Sequence, residues 1–373
     1  MLVALFYSGG RRWVLNTNKP APPTPVSANL SPLLSSRLGS KSAHIPILDG
    51  WRALSILFVL AGHWLPLGPA SWQANASVAA SGMALFFCLS GFLITQFLYV
   101  DPRVGIFLIK RIFRIVPLAW AAITILVLAN GASLYTGTIN FLFFANLPPF
   151  NLMIGGEHLW SLCVEFQFYV FMALLVFVGG QKAIFLVPLF TITITLLRIY
   201  DNETISIVTW HRVDEILIGG CVALAWNSEK IRDCCRNVSI WVAPICLFML
   251  ILASLPQSGP LGYMRPYLAG ATVFTSLFAF PRPLFLLWTG RIARYIAQIS
   301  YALYVVHGML TATILGGNGV SKVEKYVLRI PLALLTWLIS HISTFYYEQS
   351  AIRLGGHIIK KMNRQQGALG QRI

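Results

Sequence analysis

The sequence predicts an all-α integral membrane protein, with about ten transmembrane helices around a polar cavity and a disordered amino-terminal arm. Two observations carry that prediction. Hydrophobic residues make up 57% of the 373 positions and charged residues only 11%, against about 45–50% and about 25% in an ordinary globular domain. The mean hydropathy of +0.70 comes from apolar runs spread along almost the whole chain, many of them near the roughly 20 residues that cross a bilayer core of about 30 Å. This excludes a soluble enzyme domain. A formal net charge of +16 would suggest nucleic acid in a soluble protein. In a membrane protein it instead asks which face collects the basic residues, so membrane lipid and not nucleic acid is the expected partner.

Residues 1–45 read as a disordered cytoplasmic arm. Lys19 to Ser42 is rich in Pro, Ser and Ala, has no periodic apolar face and contains Pro20-Ala21-Pro22-Pro23-Thr24-Pro25. Met1 to Tyr7 is too short for a signal-peptide core and is followed, not preceded, by Arg11 and Arg12, so no cleaved targeting segment is expected. Ten apolar stretches then follow, at about 51–67, 78–100, 113–131, 158–178, 183–200, 208–226, 238–255, 266–281, 294–315 and 327–347. Asn140 to Leu147 is too short to span, ends at Pro148 and Pro149, and reads as an interfacial or re-entrant piece. Together these give a ten-helix membrane domain over 46–348 and a basic cytoplasmic tail over 349–373. Cys88, Cys163, Cys221 and Cys246 lie in apolar runs and Cys234 and Cys235 are vicinal, so neither a disulfide framework nor a C-x-x-C metal ribbon is present.

Cytoplasmic loops collect Lys and Arg. With the amino terminus inside and the spans alternating, 22 of the 28 basic residues fall inside; the six outside are Arg198, Arg212, Arg265, Lys322, Lys325 and Arg329. Both termini are therefore expected in the cytoplasm.

Ionisable groups within spans are costly and usually face a cavity or a partner. His63 follows Arg52 by eleven residues, about 16 Å along a helix, which carries it past mid-membrane. A histidine packed between helices is the plainer alternative. Glu165 lies seven residues beyond His158, about 10 Å deeper, and is expected to approach the His63 layer, where a carboxylate can orient an imidazole. Asp49 is placed to cap the first helix or to pair with Arg52. Arg111 and Arg114 share a helix face at i, i+3, where two guanidinium forks suit a phosphorylated donor or act simply as inside anchors. Ser90 and Gly91 read as small packing residues. Asp214 and Glu215 either face a polar cavity or pair with Arg212. No Walker-type loop, Rossmann glycine string or G-x-S-x-G elbow occurs.

Five blocks in order carry a resemblance. They are Ile47-Leu48-Asp49-Gly50-Trp51-Arg52-Ala53-Leu54 with His63; Phe86-Phe87-Cys88-Leu89-Ser90-Gly91-Phe92-Leu93-Ile94-Thr95; Arg111-x-x-Arg114 with Pro117; Trp160-Ser161-Leu162-x-x-Glu165-x-Gln167-Phe168-Tyr169; and Ile299-Ser300-Tyr301-x-Leu303-Tyr304-x-x-His307. Together they resemble the bacterial membrane acyltransferase-3 family over roughly 46–347. The resemblance implies O-acyl transfer from cytosolic acyl-coenzyme A, most simply acetyl-coenzyme A, to a hydroxyl of a sugar or lipid-linked glycan at the bacterial cytoplasmic (inner) membrane. It implies a catalytic His63 and donor binding by Arg111 and Arg114; the residues themselves add Glu165 beside His63, Arg52 beside the other arginines, and a role for His63 as general base or acyl carrier. No metal is expected. Phe166 departs from the family, standing where many members carry a second acid.

Two other classes use the same residues differently. A proton-coupled transporter would use His63 and Glu165 as a relay, but it predicts Gly- or Pro-broken helices at matching positions of two halves, and these are missing. A zinc enzyme would draw its ligands from His63, His158, His307 and Glu165.

Overall fold

The computed structural model describes residues 44–317 and 320–370; the expected arm therefore lies outside the described residues except for its last two positions. Every regular element among them is helical. The helices are α1 (Pro46–Trp64), α2 (Ala74–Val100), α3 (Val104–Asn130), α4 (Leu134–Phe141), α5 (Trp160–Gly179), α6 (Val187–Tyr200) and α7 (Asp214–Asn227). They continue as α8 (Glu229–Cys234), α9 (Val242–Ala253), α10 (Arg265–Ser276), α11 (Arg282–Trp288), α12 (Arg291–Thr311), α13 (Lys322–Ile342) and α14 (Gln349–Gly370).

Each of the ten expected stretches coincides with a helix. Five helical stretches are by themselves long and apolar enough to cross a membrane: Ala74–Val100, Val104–Asn130, Glu157–Gly179, Gln181–Tyr200 and Val323–Gln365. α1 and α12 are not among them, although they have 19 and 21 residues. Both give up hydropathy to polar side chains, among them Arg52 and His63 on α1, and Ser300, Tyr304 and His307 on α12. The last stretch is 43 residues long, about 65 Å, so it extends well past a single bilayer crossing. Its distal part lies in α14, and the expected tail is helical over its described residues, 349–370. Gly355 of α14 lies against Phe113 of α3, where an added Cβ would meet the ring at 2.9 Å.

α2 is apolar on all sides, the pattern of a helix enclosed by others. On one side it joins α1, α3, α5 and α12 in the larger apolar core. On the other it joins the start of α1 with α7, α9 and α10 in a second core. Trp51, fully buried, sits in that second core and donates from Nε1 to Ser276 Oγ at 2.8 Å, tying α1 to α10.

Small residues set the closest approach in this bundle. A Cβ on Gly91 of α2 would lie 1.8 Å from the Ile216 carbonyl oxygen of α7, and one on Gly219 would lie 1.9 Å from the Cys88 carbonyl oxygen. The two backbones therefore touch directly. Gly91→Val should lower the melting temperature of the detergent-solubilised protein, since overpacking against backbone costs about 1–3 kcal/mol or more. Gly105→Ala, where nothing lies within 4 Å, serves as control; an equal melting temperature for the two would show that α2 and α7 do not meet at Gly91.

The region between α3 and α5 folds back into the bundle. Gln167 of α5 donates to the Phe143 carbonyl (2.7 Å) and to Asn146 Oδ1 (3.1 Å), and Asn146 donates to the Ile207 carbonyl (2.9 Å). Phe143 is buried and stacks on Phe166, with ring centroids 4.7 Å apart. The position that departs from the family pattern is thus filled by an aromatic pair holding this segment.

Candidate active site

Two polar levels lie on the same pair of packed helices, α1 and α12. The first is a narrow cleft lined by Arg52, Ser90, Arg111, Arg114, Glu165 and Tyr169, with Phe86, Ile115, Ser300 and Tyr301 completing it. The second is a group of imidazoles, His63, His158 and His307.

In the arginine cleft, Glu165 is 4% exposed. Its Oε1 accepts from Ser90 Oγ and from Tyr169 Oη, both at 2.7 Å. Tyr169 stands one helical turn after Glu165 on α5, so the two meet on one face. Arg111 lies across two rings, its guanidinium carbon 5.7 Å from the Phe107 centroid and 5.6 Å from the Tyr169 centroid, a cation–π seat that orients the fork. Three guanidinium groups and one carboxylate line the cleft, which suits an anion. Its free volume is about 20 Å³, room for about one water; a larger anion must part the arginine side chains.

Glu165 is therefore not placed as its spacing from His158 suggested. It belongs to the Arg52 level, about 16 Å along α1 from His63. The helix spacing gave its depth along α5 but not the depth at which α5 begins relative to α1. Asp49 also differs from expectation. It neither caps α1 nor pairs with Arg52 but accepts from His44 Nε2 at 2.8 Å. Ser90 has a more definite role than small packing residue, because its hydroxyl donates to Glu165.

At the second level, the His63 and His307 ring centroids are 5.2 Å apart, and those of His158 and His307 are 4.7 Å apart. His307 is 1% exposed and its Nδ1 lies 2.6 Å from the Tyr304 carbonyl. His158 Nε2 lies 3.0 Å from the Val305 carbonyl. A carbonyl only accepts, so each of these nitrogens carries the proton. Trp64 Nε1 donates to Thr311 Oγ1, which in turn donates to the His307 carbonyl. Among the described residues no three His, Cys, Asp or Glu side chains are arranged to hold a metal ion.

The two levels are joined by aromatic rings. Phe86 lines the arginine cleft and stacks on Tyr304 with centroids 6.1 Å apart and planes at 12°. Tyr304 lies 5.5 Å from both His158 and His307. His307 entered the sequence reading only as a possible zinc ligand and Tyr304 only within the late block, although the Tyr301, Tyr304 and His307 spacing of three marks one face of α12.

Asp214 and Glu215 are accounted for by a separate buried network. Arg198 Nη1 meets Asp214 Oδ2 at 2.5 Å, Arg212 Nε meets Glu215 Oε2 at 3.2 Å, and Arg265 Nε meets Glu215 Oε1 at 2.5 Å. All five side chains are 0–2% exposed. The pairing with Arg212 was legible in the i, i+3 spacing; the partners on α6 and α10 were not.

A family model described as an acyltransferase domain matches residues 45–348. Nodulation protein 10 of Rhizobium leguminosarum bv. viciae is 23% identical over 84% of this chain and 94% of its own length. The peptidoglycan O-acetyltransferase OatA of Listeria monocytogenes serovar 1/2a is 24% identical over 71% of this chain and 49% of its own length. The putative peptidoglycan O-acetyltransferase YrhL of Bacillus subtilis strain 168 is 26% identical over 51% of this chain and 34% of its own length. This chain thus spans nearly all of the first relative but half or less of the two O-acetyltransferases. No solved structure matches it significantly.

Proposed function

The chain belongs to the acyltransferase-3 family, and on that premise we propose that it is a membrane O-acetyltransferase moving an acetyl group from cytosolic acetyl-coenzyme A to a hydroxyl of a sugar or lipid-linked glycan. The observation that carries the reading is the pairing of two levels on α1 and α12, an arginine-lined cleft and an imidazole group about 16 Å away. A coenzyme A thioester has its phosphates and its reacting carbonyl at opposite ends of an extended pantetheine arm, and so matches two such levels. Arg52, Arg111 and Arg114 hold the phosphates by forked, charge-assisted hydrogen bonds, beside Glu165, which Ser90 and Tyr169 hold in the same cleft. His63 takes the proton of the attacking hydroxyl or carries the acetyl group itself. The peptidoglycan O-acetyltransferase names of two relatives support a glycan acceptor.

In this reading 46–348 is the transferase unit, both termini are cytoplasmic and the arginine cleft opens inward. Burial supports the orientation. Of the six basic residues assigned outside, Arg198, Arg212 and Arg265 are locked in the buried ion network and Arg329 is only 9% exposed. They are therefore interior charges, not loop charges that would offset the positive-inside bias. The exposed Cys234 should resist a membrane-impermeant maleimide on intact cells and react after lysis, while a reporter fused after Asn202 should read as extracytoplasmic. Labelling of Cys234 from outside would reverse the topology.

Deleting the gene should remove O-acetyl esters from a surface glycan or secreted glycoside, read by mass spectrometry. An unchanged ester profile would overturn the glycan acceptor.

A further inference from the structure

The group facing His63 is an imidazole, not the carboxylate that its chemistry first suggests. We propose that His307 is the positioning residue for His63: its bare Nε2 accepts a hydrogen bond from one His63 ring nitrogen and so keeps the other nitrogen unprotonated toward the acceptor hydroxyl. This rests on the reading of His63 as the base in the transfer.

The geometry leaves His307 one role at that nitrogen. Its Nδ1 is committed as a donor to the Tyr304 carbonyl at 2.6 Å, so the lone pair of the neutral ring is at Nε2. That atom is buried and without a protein partner. A buried acceptor left unpaired costs about 1–3 kcal/mol, so a donor is called for. His158 cannot supply one from its Nε2–H, which already points to the Val305 carbonyl, and its Nδ1 is then bare as well. That bare nitrogen faces Gly308, where an added Cβ would lie 2.0 Å away. Of the three rings, only His63 has an uncommitted N–H; its centroid is 5.2 Å from that of His307, and a turn of its side chain would bring that N–H to the unpartnered nitrogen. The bond from His307 Nδ1 to the Tyr304 carbonyl holds the ring and with it the direction of the Nε2 lone pair.

The acceptor oxygen bonds to the thioester carbonyl carbon as its proton passes to the bare nitrogen of His63. The carbon–sulfur bond then breaks, and the coenzyme A thiolate takes that proton from His63. The hydrogen bond to His307 persists throughout and keeps the imidazolium oriented, the part a carboxylate plays in other histidine bases.

Asparagine and glutamine separate a positioning role from a purely structural one. His307→Asn can keep the donor bond to the Tyr304 carbonyl but places nothing at the ε position, whereas His307→Gln can present its amide oxygen there. In proteoliposomes of the full chain labelled with ¹⁵N-histidine, solid-state NMR should show His63 as one neutral tautomer in wild type and His307→Gln, and as a mixture in His307→Asn. The His63 signals are identified as those missing from His63→Ala. With [¹⁴C]acetyl-coenzyme A as donor and p-nitrophenyl N-acetyl-β-glucosaminide as acceptor probe, His307→Asn should lose about 10- to 100-fold in kcat, less than the loss of the base itself, with the donor KM unchanged. His307→Gln should recover most of that loss. A single His63 tautomer in His307→Asn, or full kcat in that variant, overturns the proposal. A tautomer change in a protein whose His63→Ala variant still transfers acetyl groups would sustain the imidazole pairing and overturn the function assigned to it.

Discussion

Replacing His63 with alanine should reduce acetyl transfer by about 10²- to 10⁴-fold, the usual cost of losing a positioned general base, while leaving acetyl-coenzyme A binding intact. The separation of the two levels is the reason. On the proposed reading the donor phosphates lie at Arg52, Arg111 and Arg114, about 16 Å along α1 from His63, too far for truncation of one imidazole to disturb them. Folding should survive as well, because the His63 side chain is exposed and its removal leaves no closed cavity. The measurements are transfer from labelled acetyl-coenzyme A and, separately, calorimetric titration of the donor. Undiminished transfer by a stably inserted His63→Ala protein would reduce His63 to a packing residue.

Changing Arg111 to lysine should weaken acetyl-coenzyme A binding by about 10- to 100-fold, although charge is retained. Hydrogen bonds to charged groups contribute about 1.5–3 kcal/mol, and lysine offers a single ammonium in place of a two-pronged fork. It would also lose the seat between Phe107 and Tyr169, where the planar guanidinium lies 5.7 and 5.6 Å from the ring centroids. Calorimetry on the purified variant, with membrane insertion confirmed, decides the matter. If Arg111 were only a topological anchor, lysine would bind the donor as well as arginine.

The structure leaves a simple division of labour. Arginines with a buried carboxylate form one level, imidazoles form the other, and the Phe86 and Tyr304 stack lies between them. α1 and α12 each contribute to both levels, so any displacement of one helix along the other changes the register between the arginine cleft and the imidazoles. Trp51 bonded to Ser276 and Trp64 bonded to Thr311 hold α1 at its two ends against α10 and α12.

What the amino-acid order determined by itself was everything with a short period or a bulk chemical cause. The helical membrane class followed from composition, the helix positions from apolar run length, and the Arg52 to His63 spacing from helical rise. The Arg111 and Arg114 face and the Arg212 and Glu215 pair followed from i, i+3 geometry. Only the tertiary structure decided which helices bring their polar residues to the same depth. Glu165 joined the arginines and not His63, and His307 took the place beside His63, because the relative axial offset of two helices is set by how they pack. Gly91 meeting the Ile216 carbonyl and Gly219 meeting the Cys88 carbonyl are contacts of that kind. Helical rise fixes distances within one element, whereas packing between residues far apart in the chain fixes distances between elements, and the site depends on the second kind.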